Sequence, residues 1–496
     1  MQSPFTTSHG AAPATHRSTL TAVAHRAMLE QGLEPDFPAA ALHELATLTK
    51  PAAAPPGLRD LRDRLWASID NDDSRDLDQL TVAEPLANGQ VRILVAVADV
   101  DALVHQGTAI DTHAARNTTS VYTPAVIFPM LPVVLSTDLT SLGENQDRLA
   151  LVADLVFAAD GSPVSSELYR AQAHNQAKLA YNSVGAWLEG KSAAPQRINQ
   201  VPGLADNLRL QDIAAQRLAA RRRQRGSLSL ETDQNNAVFT GDTLSHLEPA
   251  HTNRATQLIE EFMIAANEAA AKFLASRKFP TIRRALRSPE RWARIVQLAA
   301  GLGERLPATA DGLALEGFLL HRHQVAPEKF ADLSLSVVKL IGRGEYVLDL
   351  PDGTPPGHFG LALKDYTHST APNRRFPDLL TQRLLKAALA GTPLPYTIPQ
   401  LSDLANRCTE QEANATKVER QVQKSAAALL LANQIGRHFN AVVTGASVKG
   451  TWVRILQPPV EGKLTEGFAG LHVGDHLSVK LIHTDYERGF IDFVRD

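Results

Sequence analysis

The sequence has a single cysteine, Cys408, among its 496 residues. One cysteine excludes an internal disulfide framework and any zinc site built from several cysteines. Cys408 lies in a helical pattern with no histidine spaced to pair with it, so a thiol nucleophile is not expected. This cysteine usage is consistent with a reducing compartment, and we expect a cytoplasmic protein.

Long apolar runs are absent as well. No stretch reaches the roughly 18 apolar residues that a transmembrane helix requires. Residues 1–19 lack the apolar core of a secretory signal, so none is predicted. We therefore expect no membrane association.

Neither sign of charge dominates the chain. Lys and Arg total 50 and Asp and Glu total 53, which gives a formal net charge of −3. A uniformly basic surface is excluded, so any binding of nucleic acid must depend on local basic patches. Charged residues make up 21% and hydrophobic residues 44% of an otherwise ordinary globular composition, and the length predicts about two to four domains.

Three regions of the chain differ in pattern. Residues 1–57 predict a small helical region with two helices and a proline-rich linker, typical either of a nucleic-acid-binding helix-turn-helix or of a packing appendage. Residues 58–437 mix strands and helices without a regular βαβ period, which predicts an α+β domain. Residues 438–496 contain five short, mostly alternating segments, which predict a small OB-type barrel.

The clearest elements are two buried strands and four helices. Val91–Val100 is nearly continuous in apolar and β-branched residues, which is typical of a strand buried on both faces, and Leu149–Phe157 is similar. The predicted helices are Asn207–Arg223, Thr256–Ser276, Leu379–Ala390 and Leu401–Arg437. The predicted strands of the last region are Phe439–Gly445, Trp452–Leu456, Gly467–Leu471, His476–Leu481 and Gly489–Val494.

Five aspartates are concentrated between Asp70 and Asp78. A solvated turn would account for them, since aspartate favours turns. A calcium loop fits poorly, because Arg75 stands where the turn needs glycine and Thr81 where a bidentate glutamate is expected. A magnesium site fits the even spacing of Asp70, Asp76 and Asp78, because an extended chain places them on one side and a cation relieves their repulsion. Such a site suits phosphodiester hydrolysis.

Several further segments, in the same order, resemble those of the ribonuclease II/ribonuclease R family, the RNB exoribonucleases. The acidic segment resembles that family's carboxylate motif. The other matching segments are 120–136 (SVYTP, FPMLP and LS), 139–148 (LTSL and DR), 222–228 (RRQRGSL), 259–267 (IEEFMIAAN) and 357–378 (GHFGL and YTHSTAPNRRFPD). The resemblance covers about residues 58–437, and the last region is similar to the family's S1-type OB domain.

The resemblance implies a metal site. Asp70, Asp76 and Asp78 match the family's metal-site aspartates, and Asp78 matches the one most directly involved in the chemistry. Gln79 stands where the family has a further aspartate. Glutamine keeps a carbonyl oxygen that can bind a metal but lacks the negative charge. The departure implies a weaker metal site, a site in which a neighbour such as Asp72 or Asp73 compensates, or an inactive site.

The resemblance also assigns residues to the substrate. Tyr122 matches the tyrosine that stacks on the 3′-terminal base, and Glu419 matches a glutamate that holds the terminal nucleotide. Arg374 matches the arginine at the scissile phosphate, where its fork can bind two oxygens and stabilise the transition state. Arg375 is either a second phosphate ligand or a salt-bridge partner of Asp378 or Asp365.

The densest basic run is a second candidate for phosphate binding, through Arg222 and Arg223 above all. Its members are Arg217, Arg221, Arg222, Arg223 and Arg225. On a helix the run would suit an RNA backbone, but arginines also stabilise a helix C-terminus, and both interpretations stay open. Glu260 and Glu261 are expected to be structural partners of arginines.

The resemblance implies a 3′→5′ exoribonuclease that releases nucleoside 5′-monophosphates in RNA turnover or processing. Its substrate would be single-stranded RNA, or structured RNA with a 3′ overhang, and its metal Mg²⁺ or Mn²⁺. We expect a monomer without a small-molecule cofactor. The alternative, favoured by Gln79, is a catalytically silent RNA-binding protein of the same fold. Residues 1–57 are too few for the two cold-shock barrels that usually precede this catalytic domain.

Overall fold

The structure is a computed structural model that describes residues 15–231, 235–249, 252–354, 356–447 and 450–496. Most of the segment in which no secretory signal is predicted, residues 1–14, lies outside the described residues. In the part of the chain that the structure describes, no helix has the length and apolar character needed to cross a membrane.

Two helices, α1 (His16–Glu30) and α2 (Ala39–Leu45), open the described chain. The Thr15 side chain caps α1 by accepting a hydrogen bond from the backbone N–H of Ser18. Leu20, Val23, Ala24 and Met28 lie on one face of α1 and are buried. The second helix ends at Leu45, and its Leu42 is exposed.

A seven-stranded sheet forms the body of the central region. Strands β1–β9 are Arg59–Asp60, Ala67–Asp70, Gln79–Pro85, Val91–Ala98, Val121–Tyr122, Ile127–Phe128, Asp147–Phe157, Pro163–His174 and Ala177–Ala180. Strands β5 and β6 form a separate hairpin, and the others form one sheet in the order β1-β8-β7-β4-β3-β2-β9. The predicted strand Val91–Val100 is β4, in the middle of this sheet. All its residues except Arg92 are buried, which explains its nearly continuous apolar sequence.

One edge of this sheet collects the acidic residues. Strand β2 ends at Asp70 and its antiparallel neighbour β3 begins at Gln79, so the connecting loop 71–78 lies at that edge. The end of β4 lies there too, because Gln79 pairs with Val97. The loops at the other ends of β3 and β4 lie at the opposite edge.

Helices and two further two-stranded sheets complete this region. Helices α3–α12 are Ala109–Asn117, Tyr181–Leu188, Gln196–Gln200, Leu204–Gln224, Arg254–Ser276, Trp292–Gly301, Gly312–Val325, Phe330–Ile341, Phe376–Ala390 and Ile398–Leu431. Strands β10 (Asn235–Thr240) and β11 (Thr243–Pro249) pair with each other, as do β12 (Thr281–Ala285) and β13 (Glu345–Asp349). The four predicted helices are present as α6, α7, α11 and α12. The predicted end of the last one, Arg437, is wrong: α12 ends at Leu431, and Gly436 at φ +92° turns the chain toward the barrel.

The long helix α12 is the support to which other parts attach. A capping box of Thr397 and Gln400 fixes its start. Helix α1 packs along it, where Met28 joins Val418 and Val422 in one apolar cluster with the β5–β6 hairpin. The contacts of α1 within the described residues are thus those of a packing element, and a helix-turn-helix role stays a prediction.

The C-terminal region is a closed five-stranded barrel. Its strands β14–β18 are His438–Ser447, Gly450–Ile455, Val460–Glu466, His476–Asp485 and Phe490–Arg495, in the order β14-β15-β16-β18-β17. The predicted third strand, Gly467–Leu471, is wrong, because the third strand is Val460–Glu466. Gly467 and Gly470 have φ of +73° and +76° and turn the chain instead. The α+β class and the OB-type barrel are confirmed.

Candidate active site

Asp78 is the buried centre of the candidate site. This residue is only 1% exposed and lies directly before β3. One carboxylate oxygen, Oδ1, accepts a hydrogen bond from the backbone N–H of Asn373 at 3.0 Å, and Oδ2 accepts one from Nε of Arg374 at 3.2 Å. Burial raises the pKa of Asp78 to about 7, although Arg374 and the Asn373 N–H act in the opposite direction. Asp78 and Arg374, which are far apart in the sequence, are thus in direct contact.

The backbone of Arg374 is fixed by hydrogen bonds, and its side chain is partly exposed. Its N–H donates to Ala371 O at 3.2 Å in the turn before α11, and its carbonyl accepts from Ser120 N–H at 2.9 Å. The side chain is 43% exposed. Burial lowers and Asp78 raises the pKa of the Arg374 guanidinium, with a net upward shift. The guanidinium thus stays charged, and its Nη groups can receive phosphate oxygens.

Asp70 and Asp76 lie close to this pair. Burial raises the pKa of Asp76; the charge of Arg374 opposes that rise and the charge of Asp70 adds to it. Asp70 is fixed in its loop, since its Oδ1 accepts from Asn71 N–H at 2.7 Å and from the Ser74 hydroxyl at 3.0 Å. A buried carboxylate with a raised pKa next to a second carboxylate forms a suitable environment for a cation.

The residues fit a divalent cation that is held in part by water and substrate. Within the described residues, no group of three or more His, Cys, Asp or Glu side chains is arranged to hold a metal ion. The predicted set of Asp70, Asp76, Asp78 and Gln79 is thus gathered at one edge without forming a complete protein cage. Mg²⁺ commonly uses one or two carboxylates, waters and phosphate oxygens, which matches this donor set.

Gln79 is the first residue of β3 and is buried, at 6% exposure. Its backbone pairs with Val97 on β4. A buried neutral carboxamide occupies the position at which the resemblance implies a carboxylate. The site therefore has three acidic residues with which to balance a cation.

Tyr122 and Glu419 form the next part of the site. The Glu419 Oε1 atom accepts from the backbone N–H of Tyr122 at 3.0 Å, which ties the β5–β6 hairpin to α12. Burial raises the pKa of Glu419, against the effect of this N–H. Burial also raises the pKa of Tyr122 to about 12; Arg374 opposes the rise and Asp76 and Asp78 add to it. The phenol is thus within electrostatic range of the acidic residues and Arg374.

The structure places the remaining predicted arginines in other roles. Arg375 Nη2 donates to Asp378 Oδ1 at 2.8 Å, which is the salt-bridge alternative of the sequence analysis. Arg222 Nε donates to Glu261 Oε2 at 2.8 Å, and its side chain is 16% exposed. The prediction that Glu261 is a structural partner of an arginine is confirmed, and the assignment of Arg222 to substrate is not supported by these contacts.

The rest of the arginine run lies at the opposite edge of the sheet. Arg217 donates to Gly89 O in the loop after β3, and Arg221 pairs with Asp160 in the loop after β7. Both loops lie at the edge away from Asp78. Arg223 is exposed on the same helix end. The run therefore does not converge on the acidic residues.

Two residues of the site, Tyr181 and Asn373, were not predicted from the sequence. Tyr181 begins α4 directly after Ala180, which pairs with Asp70 across the parallel strands β2 and β9. Burial and the charge of Asp70 raise the pKa of the Tyr181 phenol, and Arg374 opposes them. Asn373 supplies the N–H that binds Asp78. Asn373 lies inside a recognised motif and could have been noted, whereas no local signal pointed to Tyr181.

Comparison with known proteins agrees with this architecture. Residues 58–391 match the RNB domain, and residues 437–496 match the RNase II-type exonuclease C-terminal S1 domain. Ribonuclease R of Aquifex aeolicus is 29% identical over 464 residues, which are 88% of this chain and 64% of that protein. The chain spans 53–64% of the length of the first curated relatives that it matches.

Solved structures share the fold. Mycoplasma genitalium RNase R in complex with double-stranded RNA aligns with a TM-score of 0.84 at 22% identity, over 97% of this chain and 83% of that one. Yeast Ssd1, a pseudonuclease, aligns with a TM-score of 0.67 at 18% identity, over 84% of this chain and 51% of that one. The fold thus occurs both in a ribonuclease and in a pseudonuclease. Since the RNB match covers more than half of the chain and an S1 domain follows it, the chain belongs to the RNB family, as its motifs indicated.

Proposed function

We propose that this chain is a 3′→5′ exoribonuclease that hydrolyses single-stranded RNA to nucleoside 5′-monophosphates, and that it also enters structured RNA from a 3′ overhang. The observation that carries the proposal is the pairing of buried Asp78 with Arg374, whose side chain is 43% exposed. A guanidinium that binds a carboxylate through Nε can still bind phosphate oxygens through its Nη groups. Its proposed role is RNA turnover or processing.

Arg374 stabilises the charge that develops on the phosphate under attack. Its Nε is held by Asp78 and its backbone by Ser120 and Ala371, so little reorganisation is needed when the phosphate binds. Asp78 in turn is fixed by the N–H of Asn373. The guanidinium is thereby oriented before the substrate arrives.

Asp70 and Asp76 are the residues that would hold Mg²⁺, with Asp78 and Gln79 beside them, and Mn²⁺ accepts the same oxygen ligands. The cation would supply an activated water and neutralise the phosphodiester charge. The chain's own contribution is a cluster of carboxylates whose mutual repulsion favours such an ion. Gln79 makes this cluster less negative than it would be with an aspartate there.

Tyr122 positions the last nucleotide. This residue is 42% exposed on a hairpin that Glu419 binds, and its ring can stack on the terminal base, a contact worth about 1–3 kcal/mol. The barrel exposes aromatic side chains such as Phe468 and Phe490, which can stack on bases upstream of the cut. The 2′-hydroxyl would distinguish RNA from DNA.

A catalytically silent RNA-binding protein is the second candidate. The buried Gln79 carboxamide favours it, because the site lacks one negative charge. The similarity of the fold to a pseudonuclease makes the alternative worth testing directly. Under this hypothesis, Gln79→Asp would raise hydrolysis from near zero, whereas an active enzyme would show a measurable rate before the substitution.

The deciding experiment follows a 5′-labelled RNA in the presence of Mg²⁺. We expect wild type to give a ladder or a short end product, and Asp78→Asn and a chelated sample to give neither. Asp206→Asn is the matched control, since this carboxylate is 87% exposed on α6 and should leave the rate unchanged. RNA that is bound but never shortened by wild type would refute the enzyme and favour the silent protein.

A further inference from the structure

The β5–β6 hairpin has one buried and one exposed face. Val121 pairs with Phe128, and both side chains are buried against α1 and α12. Tyr122 pairs with Ile127 in the next register position, so their side chains lie together on the other face. Tyr122 is 42% and Ile127 54% exposed. An exposed isoleucine is thus directly adjacent to the tyrosine of the candidate site.

This hairpin is held rigidly. The Thr123 hydroxyl donates to Val126 O at 2.6 Å and the Thr123 N–H donates to the same oxygen at 3.1 Å, which closes the turn. Glu419 binds the N–H of Tyr122 from α12. The position of Ile127 relative to the phenol ring is therefore fixed before any ligand binds, and a contact to it costs little ordering.

The pair forms one continuous apolar surface. Directly opposed residues on antiparallel strands have Cβ atoms about 4.5–5.5 Å apart. A pyrimidine stacked on Tyr122 is a single ring of about the size of the phenol. A purine has a second fused ring that extends beyond the phenol and can contact the neighbouring aliphatic side chain. Isoleucine offers area but no hydrogen bonds, so it distinguishes bases by size alone.

We propose that Ile127 is a specificity-determining residue that widens the terminal-base surface and makes the site bind a 3′-terminal purine more tightly than a pyrimidine. This inference rests on the proposed function, in which Tyr122 stacks on the terminal base. Ile127 contributes contact area on one side of that base. The contact is independent of the metal site and of Arg374.

The test measures binding of short RNAs that differ only in their last nucleotide: adenosine, uridine or an abasic ribose. All variants carry Asp78→Asn so that the RNA stays intact. We expect Ile127→Ala to weaken binding of the adenosine end by about fivefold and that of the uridine end much less, so the preference for adenosine is lost. Ile213→Ala, an isoleucine 47% exposed on α6, is the matched control and should change neither.

Tyr122→Ala separates the possible failures. Tyr122→Ala should weaken binding of the adenosine and uridine ends until both bind like the abasic RNA. If it does so but Ile127→Ala leaves the ratio of adenosine-end to uridine-end affinity unchanged, the role of Ile127 is refuted and stacking on Tyr122 is supported. If wild type binds the abasic end as tightly as the others, terminal stacking fails and the inference fails with it. Equal weakening of adenosine and uridine ends by Ile127→Ala would also refute a size preference.

Discussion

Two groups of buried charged side chains differ in how completely their charges are paired. One is the candidate site around Asp78. The other, which we term the anchoring cluster, lies between the turn Val100–Ala102 and α11. The charged members of the anchoring cluster are Asp99, Asp101, Asp111, Arg170, Arg383 and Lys386.

In the anchoring cluster every acid contacts a cation. Asp99 pairs with Arg170 and with Lys386, both at 2.8 Å. Asp101 pairs with Arg383 at 2.8 Å and with Lys386 at 2.7 Å. Three acids thus share three cations, and buried charges paired in this way are stable as long as the set is complete.

The candidate site has the opposite balance. Within the described residues, the ion pair that the structure gives to Asp70, Asp76 or Asp78 is the contact of Asp78 with Arg374. The upward pKa shifts of Asp76 and Asp78 reflect burial that this one cation does not offset. Unpaired negative charge destabilises a purely structural cluster, but it favours the binding of a cation. The comparison therefore separates a cluster of paired charges from a cluster whose negative charge is not fully balanced.

Removing the cation that pairs with Asp78 should have the largest effect. Arg374→Ala deletes the group that stabilises charge on the phosphate, and we expect kcat to fall roughly 100- to 1000-fold, as for other preorganised groups of this kind. Single-turnover hydrolysis at saturating RNA measures it. Arg209→Ala on the surface of α6 serves as the control. A loss confined to RNA affinity, with kcat unchanged, would assign Arg374 to binding alone.

Breaking the anchoring cluster should instead affect stability. Arg383→Met removes one of the two cations that pair with Asp101 and the cation that pairs with Asp111, and so leaves buried charge uncompensated. We expect the free energy of unfolding to fall by about 3–5 kcal/mol, measured by chemical denaturation. Hydrolysis per folded molecule should change far less than in Arg374→Ala. An unaltered unfolding midpoint would contradict the structural role of the cluster.

Much of the fold could be predicted from local sequence patterns. Helix α7 and strand β4 each carry a full periodic signal, so both were found close to their observed bounds. The third barrel strand was missed because Gly462 interrupts its alternation. A Cβ on Gly462 would lie 2.5 Å from the Phe493 ring, so the strand needs a glycine where a pattern suggests a turn.

The site was predictable only in part, because its geometry is long-range. The acidic segment and the arginine motif were each recognisable, but the contact of Asp78 with Arg374 depends on α11 folding against the sheet edge. Tyr181 enters the site through the parallel pairing of β9 with β2, which no periodicity reveals. The contact of Arg222 with Glu261 could not be predicted, because a run of arginines shows charge but not its partners.

The last prediction uses pH to probe the charge deficit at Asp78. Its pKa is about 7 in the folded protein and about 3.9 in an unfolded chain, so folding binds a proton between these values. The stabilisation from Asp78 is complete below about pH 4 and is lost as the pH rises through about 7. Asp78→Asn removes this titration. Its stability relative to wild type should therefore increase from pH 4 to about pH 7 and then stay constant.

Thermal unfolding of both proteins at several pH values in chelator gives this difference directly. Groups that do not interact with Asp78 titrate equally in the two proteins, so their contributions cancel. Adding Arg374→Ala to the wild-type background sharpens the test, because loss of the cation raises the pKa of Asp78 further and extends the decline to higher pH. Parallel curves for wild type and Asp78→Asn would mean that Asp78 is fully paired, like the acids of the anchoring cluster, and that the site has no deficit for a cation to fill.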